Sequence, residues 1–351
     1  MSDSEGAIQS IEWREDHLRI IDQTYLPKRE VYSDIRDVGR VWESIKKLRV
    51  RGAPAIGIAA AYGLYMGIRE LPESSFESFW VEVERVAEYL VSARPTAVNL
   101  KWAVDRIKTT ILAHKDKPIP EIKEIVLKTA KTIHAEDKRT CKTIGEEGAV
   151  LVEKGAKILT HCNTGSLATG QYGTALSVIF HAHEEGKEIQ VWVDETRPLM
   201  QGSRLTAWEL MNAEIPMKII TDSAAGSLMR RGEVDLVVVG TDRVAANGDT
   251  ANKIGTYPLA VLAKENGIPF YVAVPLSTID MELATGDDIP IEEREDEEIT
   301  TFSGSRVAPD KAETYNPAFD VTPHRYITGF ITEKGIVKPP FDDNLKKVFK
   351  S

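Results

Sequence analysis

From position 8 to about 31 (IQSIEWREDHLRIIDQTYLP and onward), apolar and polar residues alternate a few at a time, the period of short strands separated by turns, so a small sheet is predicted. The period then lengthens. Apolar positions recur at helical spacing over 38–50, 55–70, 76–92, 98–114 and from 120 to about 154, which makes the first 150 residues mainly helical. Near Gly155 the rhythm changes again. Apolar runs (AKILTHC, IQVWVDE, MKIITD, VDLVVVG, FYVAVP) alternate with helical stretches (GTALSVIFHAHEEG, SRLTAWELMNAE, SAAGSLMRRG, TYPLAVLAKENG). Val- and Ile-rich runs separated by helices of about ten residues predict a parallel sheet covered on both faces, that is, a doubly wound α/β domain.

The pattern divides the chain into a mainly helical domain with a short antiparallel sheet at 1–150 and a doubly wound parallel-sheet domain at 151–351. No Gly/Ser-rich linker separates them. After Pro275 the chain turns irregular and acidic; IEEREDEEI at 291–299 reads as a solvated surface segment or as a loop over the site. Composition adds exclusions. With 42% hydrophobic and 28% charged residues, the 351-residue chain is neither disordered nor membrane-spanning. Its N-terminus lacks the basic and apolar regions of a signal peptide, and two cysteines in unlike contexts form no disulfide framework, so a reducing cytoplasm is expected. A net charge of −10 argues against broad nucleic-acid binding but leaves room for a local phosphate pocket.

Ligands of an open parallel sheet bind beyond the carboxyl ends of its strands. The informative residues fall there: Cys162-Asn163-Thr164-Gly165 after AKILTH, Thr196-Arg197-Pro198 after VWVDE, and Thr241-Asp242-Arg243 after VDLVVVG. A free cysteine is commonly an inert core residue, and Cys141, inside a helical stretch, is read as structural. Cys162 precedes a turn whose N–H groups can lower a thiol pKa. Asp242 reads as a general acid or, more blandly, as a helix cap or partner of Arg243. Beyond it, VAANGDTANKIGTY is too polar for a surface helix, and Asn252 and Lys253 follow a turn at Asn247-Gly248, placed to bind an anion or sugar hydroxyls.

In the helical half, Arg51-Gly52-Ala53-Pro54 opens an apolar helix, where free N–H groups beside an arginine make a phosphate cradle. Arg94, in Ala93-Arg94-Pro95-Thr96, stands in a similar place, and the two arginines suggest a phosphate clamp. His161 adjoins Cys162, but successive strand residues point to opposite faces, which argues against a dyad. The histidines show no metal-ligand spacing, and the chain has neither a GxGxxG after a strand nor a P-loop.

The motifs RGAPAIG, ARPTAVNLKWA, THCNTGSLATG, ETRPLMQGSRLTAWEL, DSAAGSLM, GTDRVAANGDTANKIGTY and NPAFDVTP, in order over about residues 8–340, resemble the methylthioribose-1-phosphate isomerase family. Its superfamily includes the α, β and δ regulatory subunits of a translation-initiation exchange factor. The resemblance implies a helical N-terminal domain, a Rossmann-like C-terminal domain, homodimers, and aldose–ketose isomerisation of a sugar phosphate in methionine salvage without metal or other cofactor. It places the catalytic pair on Cys162 and Asp242, and phosphate and sugar contacts on Arg51, Gly52, Ala53, Arg94, Gln201, Asn252 and Lys253. Thr241, often alanine in relatives, is the only departure. Alternatives in the same superfamily are isomerases of ribose 1,5-bisphosphate or 5-deoxyribose 1-phosphate, and a non-catalytic regulatory subunit.

Overall fold

The computed structural model describes residues 8–72 and 75–350, so residues 1–7 of the N-terminal segment read as free of a signal peptide lie outside the described residues. Two compact units form: one from the chain up to Thr143 with Thr164–Leu176, the other from Ile144–Asn163 with Ser177 onward.

In the first unit, β1 (Ile11–Arg14), β2 (His17–Ile21) and β3 (Tyr32–Ile35) make the antiparallel sheet in that order. Helices α1 (Val38–Lys46), α2 (Ala53–Ile68), α3 (Phe76–Val91) and α4 (Val98–Ala113) follow, and α5 (Ile119–Ala149) begins in this unit. Their starts obey local chemistry. The Asp37 carboxylate accepts the Arg40 N–H at 2.8 Å and Ser75 accepts that of Ser78 at 3.2 Å, each satisfying an orphan donor of a first turn. Most of α2 is buried, because it is apolar on all sides and α1, α3 and α4 pack around it. The later segment Thr164–Leu176 is bound here through Ser10 Oγ donating to Ser166 O (2.7 Å) and Gln23 Nε2 donating to Leu167 O (2.7 Å).

His134 of α5 completes that attachment. Its Nε2–H donates to Gly170 O at 3.4 Å, and Nδ1 lies 3.2 Å from the Tyr62 hydroxyl, from which the neutral ring accepts. Burial, and then the charge of Lys138, push its pKa from 6.5 down to about 4. The unfolded chain therefore takes up this proton first on acidification: the stabilisation is complete above pH 6.5 and is lost as the pH falls toward 4. We expect about 2.5 kcal/mol of lost stability between neutral pH and about pH 4.5 from this residue. Urea unfolding of wild type and His134→Gln at both pH values checks it, because the variant should lack that share of the acid sensitivity.

In the second unit the strands are β4 (Lys157–Thr160), β5 (Gln190–Asp194), β6 (Met217–Ile220), β7 (Leu236–Val239), β8 (Arg243–Ala245), β9 (Thr250–Lys253), β10 (Phe270–Ala273) and β11 (Ile279–Asp280). They continue with β12 (Thr301–Phe302), β13 (Ser305–Arg306), β14 (Phe319–Thr322), β15 (Gly329–Thr332) and β16 (Gly335–Val337). The helices are α6 (Ala175–Glu184), α7 (Ala207–Asn212), α8 (Ala225–Arg230), α9 (Thr256–Glu265), α10 (Glu297–Thr300) and α11 (Phe341–Lys350). The main sheet has the order β16-β15-β10-β7-β4-β5-β6, parallel except for the edge strand β16. Counted along the chain this is the order 3-2-1-4-5-6 of a doubly wound sheet, with one antiparallel strand added. Every residue of β7 and β10 is buried, as the Val-rich runs require of strands covered on both faces.

Two features depart from the sequence reading. The polar stretch after Asp242 is a hairpin, β8 with β9, in a second sheet of order β11-β8-β9-β14. Its turn falls at Asn247-Gly248 as read, where the Asn247 side-chain Oδ1 accepts the Asp249 N–H at 2.9 Å. The chain after Pro275 is not irregular throughout, since β15 returns to the main sheet beside β10. Among the described residues no helix is long and apolar enough to cross a membrane.

Candidate active site

The strand order reverses direction between β4 and β7, and a doubly wound sheet opens its ligand crevice at that point. Cys162 stands two residues beyond β4 and Asp242 three residues beyond β7, while Leu159 and Val237 pair directly across the two strands. The two residues thus sit at the tips of neighbouring core strands.

Cys162 adopts a left-handed backbone (φ 66°), unfavourable for a residue with a side chain and sustained only by its surroundings. Those surroundings are on hand: its N–H donates to Thr196 Oγ1 at 2.9 Å, and its carbonyl accepts from the Thr206 hydroxyl at 2.6 Å. Thr196 is itself fixed, its N–H donating to Asp222 at 2.7 Å and its hydroxyl to the Asp194 carbonyl at 3.0 Å. The Cys162 residue is half-buried, whereas Cys141 is wholly buried in α5. At the other strand tip the Asp242 N–H donates to Ala251 O at 3.0 Å, and Arg243 lies 3.9 Å from Asp280.

Asn252 and Lys253 are buried on β9. The Asn252 amide donates to Thr256 Oγ1 at 3.0 Å; Lys253 Nζ donates to Ala318 O at 2.6 Å and lies 4.8 Å from the Phe319 ring centroid. Burial depresses the Lys253 pKa, while its electrostatic interactions with Cys162 and Asp242 pull it the other way. One buried lysine side chain therefore interacts electrostatically with both strand-tip residues. Gln201, at the start of a π-helical turn over Gly202–Thr206, is also buried, and its Oε1 accepts no hydrogen bond among the described residues.

The remaining four sequence-derived residues belong to the first unit. Arg51, largely buried, precedes Gly52 and Ala53 at the N-terminus of α2, and half-buried Arg94 lies between α3 and α4. Gly52 has φ 94°, and a Cβ there would come within 2.5 Å of Ala168, so no other residue fits that turn.

The acidic segment is not merely solvated. Arg294 turns inward, bonding Glu292 at 2.8 Å and Glu298 at 3.0 Å, and the charges of Arg294 and Glu298 both reach Lys253. Sequence reasoning weighed His161 only as a partner of Cys162 and passed over Asp194, with which it forms a buried pair 2.9 Å apart; the signal was a carboxylate ending the buried strand QVWVD. Burial alone would lower the His161 pKa, but the hydrogen bond and charge of Asp194, with Asp222 beyond, raise it. His161, Asp194 and Asp222 bring one potential metal-ligand atom each within 4.8 Å of one another. Hydrogen bonds already occupy both ring nitrogens of His161 and both oxygens of Asp222.

Comparison with known proteins places this arrangement. Methylthioribose-1-phosphate isomerase of Geobacter sp. (strain M21) is 55% identical over 340 residues, covering 97% of this chain and 98% of that protein. The 5-deoxyribose 1-phosphate isomerase of Moorella thermoacetica is 51% identical over 341 residues, 97% of each. Among solved structures, 5-methylthioribose 1-phosphate isomerase from Pyrococcus horikoshii OT3 superposes with a TM-score of 0.91 at 48% identity, covering 97% of this chain and 96% of that one. A structure described as the δ subunit of translation initiation factor eIF-2B from A. fulgidus gives 0.86 at 44% identity, covering 98% and 100%. The sequence pattern of the initiation factor 2 subunit family matches residues 49–339, and this chain belongs to that family.

Proposed function

We propose that this protein is a sugar-phosphate isomerase that converts 5-methylthioribose 1-phosphate to 5-methylthioribulose 1-phosphate in methionine salvage, as a cytoplasmic homodimer. The observation that carries the reading is the pair Cys162 and Asp242 at adjacent strand tips, both in the field of buried Lys253. Phosphate on the anomeric carbon prevents spontaneous ring opening, so an acid must protonate the ring oxygen as its bond to C1 breaks. Asp242 supplies that proton. Cys162, whose thiolate Lys253 favours, removes the hydrogen on C2. The electron pair forms an enol between C1 and C2. A proton then enters at C1 while the C2 hydroxyl loses its own, and the ketose results. Arg51, Gly52, Ala53 and Arg94 hold the phosphate, and Gln201, Asn252 and Lys253 orient the sugar, which turns chemistry on a flexible sugar into a positioned intramolecular step.

A second reading has direct support in the Moorella relative, named for 5-deoxyribose 1-phosphate. The bond changes are the same and only the substituent at C5 differs. Assays with 5-methylthioribose 1-phosphate, 5-deoxyribose 1-phosphate and ribose 1,5-bisphosphate distinguish them. We expect the methylthio substrate to lead the deoxy sugar by about tenfold in kcat/KM, the worth of one apolar group in a pocket. Turnover of none of the three returns the chain to the alternative of a non-catalytic subunit.

A further inference from the structure

We propose that His161, paired with Asp194, is a positioning residue that ties the strand tip bearing Cys162 to the loop bearing Lys253. This inference rests on the role given above to Cys162 and Lys253, although its test requires no turnover.

His161 precedes Cys162 in the chain and is 1% exposed. Its Nε2 lies 2.9 Å from the carbonyl oxygen of Ile254, the residue after Lys253. A carbonyl only accepts, so Nε2 carries a proton and donates it there. Nδ1 lies 2.9 Å from Asp194 Oδ2, and a second proton is held between them. Asp194 closes the circuit, because its backbone carbonyl accepts the Thr196 hydroxyl, which in turn accepts the Cys162 N–H. Side chain and backbone of one residue on β5 thus fix Cys162 from one side and, through His161, the Lys253 loop from the other.

The loop is shaped for this contact. Gly255 has φ 103°, and a Cβ on it would stand 2.9 Å from His161 Cε1, so the backbone approaches the ring as only glycine allows. Ile254 N–H and Lys253 Nζ both donate to Ala318 O, at 3.0 and 2.6 Å, which carries any shift at Ile254 to the Lys253 ammonium. The groups facing His161 are Asp194, Asp222 and Asp320; those facing Lys253 are Cys162, Asp242, Arg294 and Glu298. An apolar side chain would fill the His161 position without the desolvation cost of a buried ionisable pair, so what the pair contributes is geometry.

Thiol reactivity reads that geometry directly. Lys253 favours the Cys162 thiolate, so displacing or removing it slows alkylation at neutral pH. The rate with iodoacetamide is measured for wild type, His161→Asn, Lys253→Met, the double variant and Asp194→Asn, with buried Cys141 remaining unreactive as the sign of an intact fold. Asparagine at 161 can reach Asp194 but not Ile254. We expect His161→Asn and Lys253→Met each to slow alkylation about tenfold, and the double variant to be no slower than Lys253→Met. Asp194→Asn, whose amide can still donate to Nδ1, should stay within about threefold of wild type. A wild-type rate in His161→Asn, or losses that multiply in the double variant, overturns the proposal. Should His161→Asn not fold, His161→Phe, which fills the site, carries the same expectations. Normal isomerisation with additive losses would sink this inference alone; the predicted alkylation pattern without isomerisation would sink only the function above.

Discussion

Replacing Cys162 by Ser or Asp242 by Asn lowers kcat by about three orders of magnitude and leaves KM within about threefold. Each variant preserves side-chain volume while removing one proton-transfer capacity: a serine hydroxyl is un-ionised at neutral pH, and an amide has no acid proton to give to a ring oxygen. Binding persists because the phosphate contacts proposed at Arg51, Gly52, Ala53 and Arg94 are untouched. The left-handed backbone of Cys162 is held by Thr196 and Thr206 through main-chain groups that serine retains, so the loop keeps its shape. Steady-state kinetics with the sugar phosphate check the expectation, and turnover in deuterated water adds a chemical test. If Cys162 acts as base, solvent deuterium enters at C1 of the product; its absence would indicate hydride passing directly from C2 to C1. Wild-type turnover in either variant would remove the substituted residue from the mechanism.

What could be read from the chain before its structure follows from the range of the interactions involved. Local periodicity identified the five N-terminal helices and the strands VDLVVVG, FYVAVP and IQVWVDE, because burial on both faces writes itself into consecutive residues. The tip positions of Cys162 and Asp242 were legible for the same reason. The hairpin of β8 and β9 was not: its polar strands are stabilised by partners in β11 and β14, the latter about 70 residues onward. Nor was β15, a four-residue strand whose place in the sheet depends on β10. The acidic 291–299 segment resembled a solvated face because most of its carboxylates are solvated, while Glu292, Arg294, Glu298 and Ile299 are half-buried. For His161 the alternation rule argued only against a dyad with Cys162; its partners, a carboxylate 33 residues on and a main-chain carbonyl, are brought to it by the fold.

The buried pair also governs stability: Asp194→Ala should cost about 3 kcal/mol, since it strands an imidazole inside the sheet with nothing at Nδ1. The cost is asymmetric. Inserting an ionisable pair into a core gains little over an apolar filling, but removing one member leaves the desolvation of the other uncompensated. His161 is held above its ordinary value of 6.5, so its share of stability is complete below that pH and is lost as the pH rises through the folded value. The gap between wild type and Asp194→Ala in urea unfolding should accordingly be widest near pH 6 and narrow on the alkaline side. Asp194→Asn, which keeps a partner at Nδ1, should cost less. Equal stability of Asp194→Ala and wild type near pH 6 would mean that the pair contributes nothing to the second unit, and the link from Asp194 through His161 to Ile254 would then have no energetic basis.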